Sequence, residues 1–264
     1  RTSPFAFTGN KFEFRACGSA QSISGPIVVL NTIVAESLDY IATQLEQAVA
    51  PGKDLNVEIQ KLLQSVIKES RWVVFNGDNY SDAWHAEAEK RGLPNRKSTV
   101  ESLSDLVSPK AIELFTKYKV FTERELHSRY EIFLEGYRKT IAIESQLTLQ
   151  MASRMILPAA LRYQSEVAAA VANLKAAGVT VPKHQTALLN EVVHAIDELQ
   201  SAADRLSDVI DEHPKGDSHD HAKHSRDVVI PAMNAVRAAG DVLETLVDSN
   251  LWPLPTYQEM LFIK

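Results

Sequence analysis

Two stretches of the sequence concentrate side chains able to do chemistry. In Lys11-Phe12-Glu13-Phe14-Arg15, ionisable and aromatic residues alternate. A strand sends successive side chains to opposite faces, so Lys11, Glu13 and Arg15 share one face and Phe12 and Phe14 the other. From the pattern alone, the favoured reading is the wet side of a sheet. The functional reading is a cleft that handles a metal and an anion. Glutamate is a hard oxygen ligand for Mg²⁺ or Mn²⁺, and arginine offers phosphate or carboxylate a planar two-donor fork. The second stretch holds four histidines, His213, His219, His221 and His224. Clustered imidazoles bind Zn²⁺, Ni²⁺ or Cu²⁺, but Pro214-Lys215-Gly216-Asp217-Ser218 brings no thiolate, and an exposed interhelical loop is the better expectation.

Lesser candidates fit plain structural roles. Cys17 follows Arg15 closely, yet a lone cysteine is usually a small buried hydrophobe. Asn76-Gly77-Asp78-Asn79 lacks the glycine-rich frame and lysine of a phosphate loop and reads as a turn. Tyr130, Phe133 and Tyr137 stand at helical spacing and are expected in the core.

These residues must be held by two kinds of element. Pro4-Phe5-Ala6-Phe7 and Lys11 to Arg15 flank Thr8-Gly9-Asn10, the pattern of a hairpin. From Ser24 onward the signals are helical. Ser24-Gly25-Pro26 starts a helix that runs to about Ala50, where Pro51-Gly52 stops it. Asp54 opens a second helix with Leu55, Ile59, Leu62 and Val66 on one face, and Ser81 opens a short one ending near Gly92. Ser98 with Glu101, and Thr122 with Glu125, have capping-box spacing. A long helix from Thr122 carries Leu126, Tyr130, Phe133, Tyr137 and Ile141, and Pro158 interrupts it. It continues to Gly178.

The cleanest periodicity is Leu189, Val192, Ile196, Leu199, Ala203, Leu206 and Ile210, in steps of three and four residues. After a polar loop at 213–225, Val229, Met233, Val236, Gly240, Leu243 and Val247 repeat it. Trp252 to Tyr257 forms a stiff tail expected to pack back. The predicted fold is mainly α: a short β-hairpin that closes a domain begun upstream, then an antiparallel helical bundle. The predicted division is 1–50 and 51–264.

Composition narrows the function classes. The chain has 264 residues, with 28 Lys+Arg against 34 Asp+Glu and a net charge of −6, so non-specific nucleic-acid binding has no electrostatic drive. The single cysteine excludes an internal disulfide framework and a thiolate-built zinc site. No uncharged apolar run reaches the roughly 18 residues of a membrane span. The expectation is a cytoplasmic protein without membrane or nucleic-acid partners. Arg1 in place of an initiator methionine suggests a piece of a longer polypeptide.

A family resemblance rests on several of these segments. Arg1-Thr2-Ser3 and Phe12-Glu13-Phe14-Arg15 resemble segments near the end of the glutamine synthetase catalytic domain, and Gly25-Pro26 resembles that family's next helix start. Phe75-Asn76-Gly77, Glu87 to Asn95, His127-Ser128-Arg129-Tyr130-Glu131 and Leu251 to Tyr257 resemble, in order, the carboxyl-terminal region of type III glutamine synthetases. The resemblance implies a ligase that makes glutamine from glutamate, ammonia and ATP through γ-glutamyl phosphate, with Mg²⁺ or Mn²⁺. It implies Glu13 as a metal ligand and Arg15 as a catalytic residue on the glutamate carboxylate or the transferring phosphoryl group. Arg1 would face the nucleotide phosphates, also as a catalytic residue, and Lys11 would lie near ATP. Ala6 stands where better-studied members have an arginine. The family's other metal-binding glutamates, its histidine ligand, its glutamate flap and its amino-terminal domain have no counterpart here. The resemblance therefore implies an isolated chain without activity, completed in a homo-oligomer of stacked rings. The alternative is a helical assembly or interaction module without catalysis.

Overall fold

The computed structural model describes residues 5–7, 11–14, 21–49, 52–78, 80–212, 214–255 and 257–261, with side chains left out for 5–7, 12–14, 257 and 258. The chain is mainly helical. Strands β1 (Phe5–Phe7) and β2 (Phe12–Phe14) pair antiparallel, with Phe5 opposite Phe14, Ala6 opposite Glu13 and Phe7 opposite Phe12. The predicted turn Thr8-Gly9-Asn10 lies outside the described residues. Contacts divide the chain into two compact units, Arg1–Tyr130 and Glu131–Lys264.

The first unit holds helices α1 (Ser24–Val49), α2 (Leu55–Ser70), α3 (Asp82–Lys90), α4 (Thr99–Ser104) and α5 (Pro109–Lys117), and the start of α6 (Glu123–Met151). The starts of α2 to α6 are chemically marked. The carboxylate of Asp54 accepts from the Val57 N–H at 3.0 Å, and the hydroxyls of Ser81, Ser98 and Ser108 accept from Trp84, Glu101 and Ala111 at 3.3 Å. These bonds satisfy amides that a first helical turn leaves without partners. Thr122 and Glu125 close the predicted capping box: the Thr122 N–H donates to the Glu125 carboxylate at 2.8 Å and the Glu125 N–H to the Thr122 hydroxyl at 3.3 Å. Helix α3 ends at Gly92, whose φ of 73° suits glycine, and the Leu93 N–H returns to the Ala88 carbonyl.

Helix α1 packs on α2 and α5 but leaves much of its apolar surface open. It is long and apolar enough to cross a membrane by length and mean hydropathy, and only 6% of its most apolar window is buried. Glu36, Asp39 and Glu46 interrupt the run, so a search for an unbroken apolar stretch passes over it.

In the second unit, α6 continues through a π-helical turn, Ala152–Ile156, into α7 (Leu157–Ala176). The sequence predicts a break at Pro158, and the π turn is its form. Proline lacks the N–H an α-helix needs there. The Leu157 N–H reaches back five residues to the Ala152 carbonyl, and the chain stays helical. The same device recurs unpredicted at Pro231. A π turn at Ser225–Val229 leads into α10 (Ile230–Leu246), with the Ile230 N–H bonded to the Ser225 carbonyl.

Helix α8 (Lys183–Asp211) packs against both α7 and α10. Val192, Ile196, Leu199, Ala203 and Leu206 of its seam are buried, and Leu189 and Ile210 are partly so. Val229, Val236, Gly240, Leu243 and Val247 answer from the other seam. Gly240 lies where an added Cβ would sit 3.5 Å from Ile156 Cδ1, so α10 meets the π turn closely. Leu251, Trp252 and Leu254 pack on this core, as expected of the tail.

Two expectations are corrected. Phe133 is exposed, and Leu134 is buried in its place. The buried positions Leu126, Leu134, Ile141 and Ser145 advance in steps that keep one narrow face of α6, and Phe133 falls one position off it. The 213–225 segment is not a loop throughout: Ser218–His224 forms α9. The short α11 (Tyr257–Leu261) lies beyond the tail.

Candidate functional site

Glu13 sits on β2 between Phe12 and Phe14, with its Cα opposite Ala6. Lys11, just before the strand, is exposed. Arg1, Arg15, Cys17 and the side chain of Glu13 lie outside the described residues. Among the described residues, no group of three or more histidine, cysteine, aspartate or glutamate side chains is placed to hold a metal ion. The backbone therefore puts Glu13 on a paired strand beside Lys11, and the described residues complete no cation site around it.

A better-defined constellation occupies residues 71–91. The Phe75 ring stacks on Trp84 of α3 with centroids 4.2 Å apart, and the Arg91 guanidinium lies 5.6 Å from the Trp84 ring centre. Arg91 also donates to the Glu87 carboxylate at 2.7 Å and to the Trp72 and Val74 carbonyls at 3.0 Å. One cation thus pins the 3₁₀ turn Arg71–Val73 and the strap after it to α3. The Arg91 hydrogen bond holds the Glu87 carboxyl below its ordinary pKa. Asp78 accepts from the Tyr80 N–H at 2.9 Å, and its carbonyl accepts from the Ser81 hydroxyl. A Cβ on Gly77 would fall 2.7 Å from the Phe75 ring, so glycine is needed for the close approach. Asn79 lies outside the described residues, and its neighbours form the expected turn. The platform leaves Trp72, Val74 and Tyr80 exposed. The sequence signal for Arg91 was legible in principle: it stands four residues after Glu87 and seven after Trp84, on one helical face.

A second contact has no sequence signal, because its partners are 79 residues apart. The Tyr118 hydroxyl donates to Asp39 at 2.7 Å, and Lys117 Nζ lies 3.1 Å from the same carboxylate, tying the end of α5 to α1. The Tyr118 bond first, then Lys117, lowers the Asp39 pKa; bonding to Tyr118 and Asp39 raises that of Lys117.

The histidine segment is organised as helix. Asp217 caps α9 in a capping box with Asp220, and the bond from the Asp220 N–H lowers the pKa of the Asp217 carboxyl. Ala222 is buried, and His221 and His224 are half-buried. His213 lies outside the described residues. His224 Nε2 stands 3.9 Å from the Glu212 carboxylate, beyond hydrogen-bond reach.

Comparison with known proteins places this helical architecture. Residues 58–175, from the first turn of α2 to the last turn of α7, match the family described as the glutamine synthetase C-terminal domain. Along its whole length the chain is 39% identical to the type-3 glutamine synthetase of Dictyostelium discoideum and 30% identical to a glutamine synthetase of Bacteroides fragilis. A glutamine synthetase of Butyrivibrio fibrisolvens is 30% identical over 99% of the chain. The chain spans 37% of the length of each of these relatives.

Proposed function

We propose that this chain works as the carboxyl-terminal part of a glutamate–ammonia ligase. The observation that carries the reading is similarity along the whole chain to proteins named glutamine synthetase. In the reaction, a side-chain carboxylate oxygen of glutamate attacks the γ-phosphorus of ATP and ADP leaves. Ammonia then attacks the acyl carbon, and phosphate departs with the C–O electron pair. Negative charge builds on the phosphoryl oxygens, and Arg15 and Arg1 are the residues of this chain proposed to stabilise it. Lys11 is assigned to the nucleotide side. Glu13 would hold one Mg²⁺ or Mn²⁺, which when bound neutralises phosphate charge and orients it.

Residues 1–50 are assigned to the end of a catalytic α/β domain and 51–264 to a helical domain. The open apolar surface of α1 supports the first assignment, since such surface ordinarily lies against further protein. The working form is proposed as a cytoplasmic homo-oligomer of stacked rings, with no membrane or nucleic-acid partner. The core of the second unit supports the reading in which residues 51–264 serve assembly without catalysis.

Two measurements separate the readings. Purified, the 264-residue chain is expected to form no glutamine from glutamate, ammonia and ATP, and measurable turnover would contradict the incomplete site. In source cells, an antibody to residues 183–213 should detect a band much heavier than 29.3 kDa. A band at the chain's own mass would favour the free-standing module.

A further inference from the structure

We infer that the outward face of α6 pairs with the same face of a second copy of this chain, the two helices running antiparallel. Within the second unit, Ile132, Gly136, Thr140, Ile143, Leu147 and Met151 follow one another in steps of four, four, three, four and four residues. At about 100° per residue they fall within one arc of roughly 100°. All six are exposed, Ile132 and Ile143 at 60% and Leu147 at 51%, while Leu134, Ile141 and Ser145 are buried on the other side of the helix. No charged side chain interrupts the row, and Phe133, also exposed, borders it. Such a row of uncharged, mostly apolar side chains gains free energy by being covered.

Two observations name the partner. The first is Gly136. Glycine inside a helix weakens it, yet a Cβ built there meets nothing within 4 Å, so the chain's own packing makes no demand for glycine. A missing side chain within an apolar row is a hole for a neighbour's side chain. The second is the symmetry of the spacing. The steps read the same from either end, so an antiparallel copy sets Gly136 opposite Leu147, Thr140 opposite Ile143 and Ile132 opposite Met151. Small then meets large at the inner pairs, and each pair occurs twice, as a two-fold interface requires. A parallel copy would set Leu147 on Leu147 and Gly136 on Gly136. The row and Phe133 expose on the order of 600 Å² per copy, about 1,200 Å² for the pair, which is the lower end of stable interfaces. The pairing gives the assembly reading of residues 51–264 a surface, and it is independent of the ligase reading.

The test is analytical ultracentrifugation of the 264-residue chain from about 1 to 100 μM, where a monomer–dimer equilibrium is expected. Leu147→Glu should weaken it at least about tenfold. Leu38→Glu, on the open face of α1, should leave it unchanged. Gly136→Leu separates pairing from folding. Filling the hole should weaken the dimer, while the unfolding temperature of the dilute chain should not fall, because leucine is the better helix former. Orientation is read in a Cys17→Ser background with a short thiol–thiol cross-linker. Gly136→Cys combined with Leu147→Cys should give covalent dimers. Either cysteine alone should not, since its two copies would lie about 16 Å apart along the pair. Circular dichroism checks each fold, and Ile143→Glu takes the place of Leu147→Glu if that variant unfolds. A chain that stays monomeric to about 100 μM would overturn the inference, the α6 face then being covered by something other than a second copy. So would a dimer unaffected by Leu147→Glu, or cross-linking through the single cysteines.

Discussion

The two units are nearly equal in length but unequal in what they bury. Among the described residues, Val100, Phe115 and Leu126 are the buried apolar side chains of the first unit, and every other buried apolar side chain belongs to the second. The second unit fills one continuous cluster from both sides of α8. The first is held by point contacts, Arg91 under its strap and Asp39 under Tyr118, while Ile27, Ile33, Val34, Leu38 and Ile67 stay exposed. A bundle with its own core can stand alone, whereas helices with open apolar faces are built to be covered. The difference agrees with a chain that spans little over a third of its relatives.

The strongest way to break this comparison is to truncate one apolar residue in each unit. Leu206→Ala removes a fully buried side chain from the α8 seam and should cost about 2–5 kcal/mol of stability, read by denaturant unfolding. Leu38→Ala, at 61% exposure, should change stability by no more than about 0.5 kcal/mol. Equal losses would dissolve the contrast. Arg91→Ala should come next: the Phe75–Trp84 stack loses its pin, Trp84 fluorescence should change, and exchange should quicken over 71–77, with α8 untouched. An unaltered spectrum would mean that the stack holds itself. Asp54→Ala should cost about 1 kcal/mol through its lost cap. The smallest effect, with the opposite sign, is Gly240→Ala. Its Cβ would meet Ile156 at ordinary van der Waals distance, so the helix should gain up to about 1 kcal/mol. A loss there would show the α10 contact to be tighter than it stands.

The ion pairs sharpen the comparison through pH. The Asp39 pKa is lowered in the folded chain, so its contribution is full above the unfolded carboxylate value and fades as pH falls through the folded one. Acid below about pH 4 should therefore loosen α5 from α1 before it disturbs the α8 seam. Exchange rates at Tyr118 and at Leu199, compared from pH 7 to pH 3, check the order.

How much was legible in the sequence follows the same divide. The α8 and α10 seams were readable because their apolar residues repeat in threes and fours against a polar remainder. Helix α4 was legible only as the cap at Ser98, and α5 not at all, because each spans too few turns to show a period. Pro158 announced an interruption without its form, since a lost N–H can be answered by a kink or by a π turn. Pro231 went unread because the polar 213–225 stretch looked like a loop, and buried Ala222 is too small to signal otherwise. Phe133 was misplaced because a one-residue shift of the face is invisible where neighbouring positions are apolar too. At the candidate site, Glu13 and Lys11 were legible as an alternating strand. The Tyr118–Asp39 bond was not, because nothing local links residues 79 apart.

Hydrogen exchange followed by mass spectrometry on the 264-residue chain tests the contrast between the units most directly. The account predicts strong protection across 192–209 and 232–243, and fast exchange through much of 24–49 in the isolated chain. Protection of α1 equal to that of α8 would contradict it, since the first unit would then be closed by its own packing.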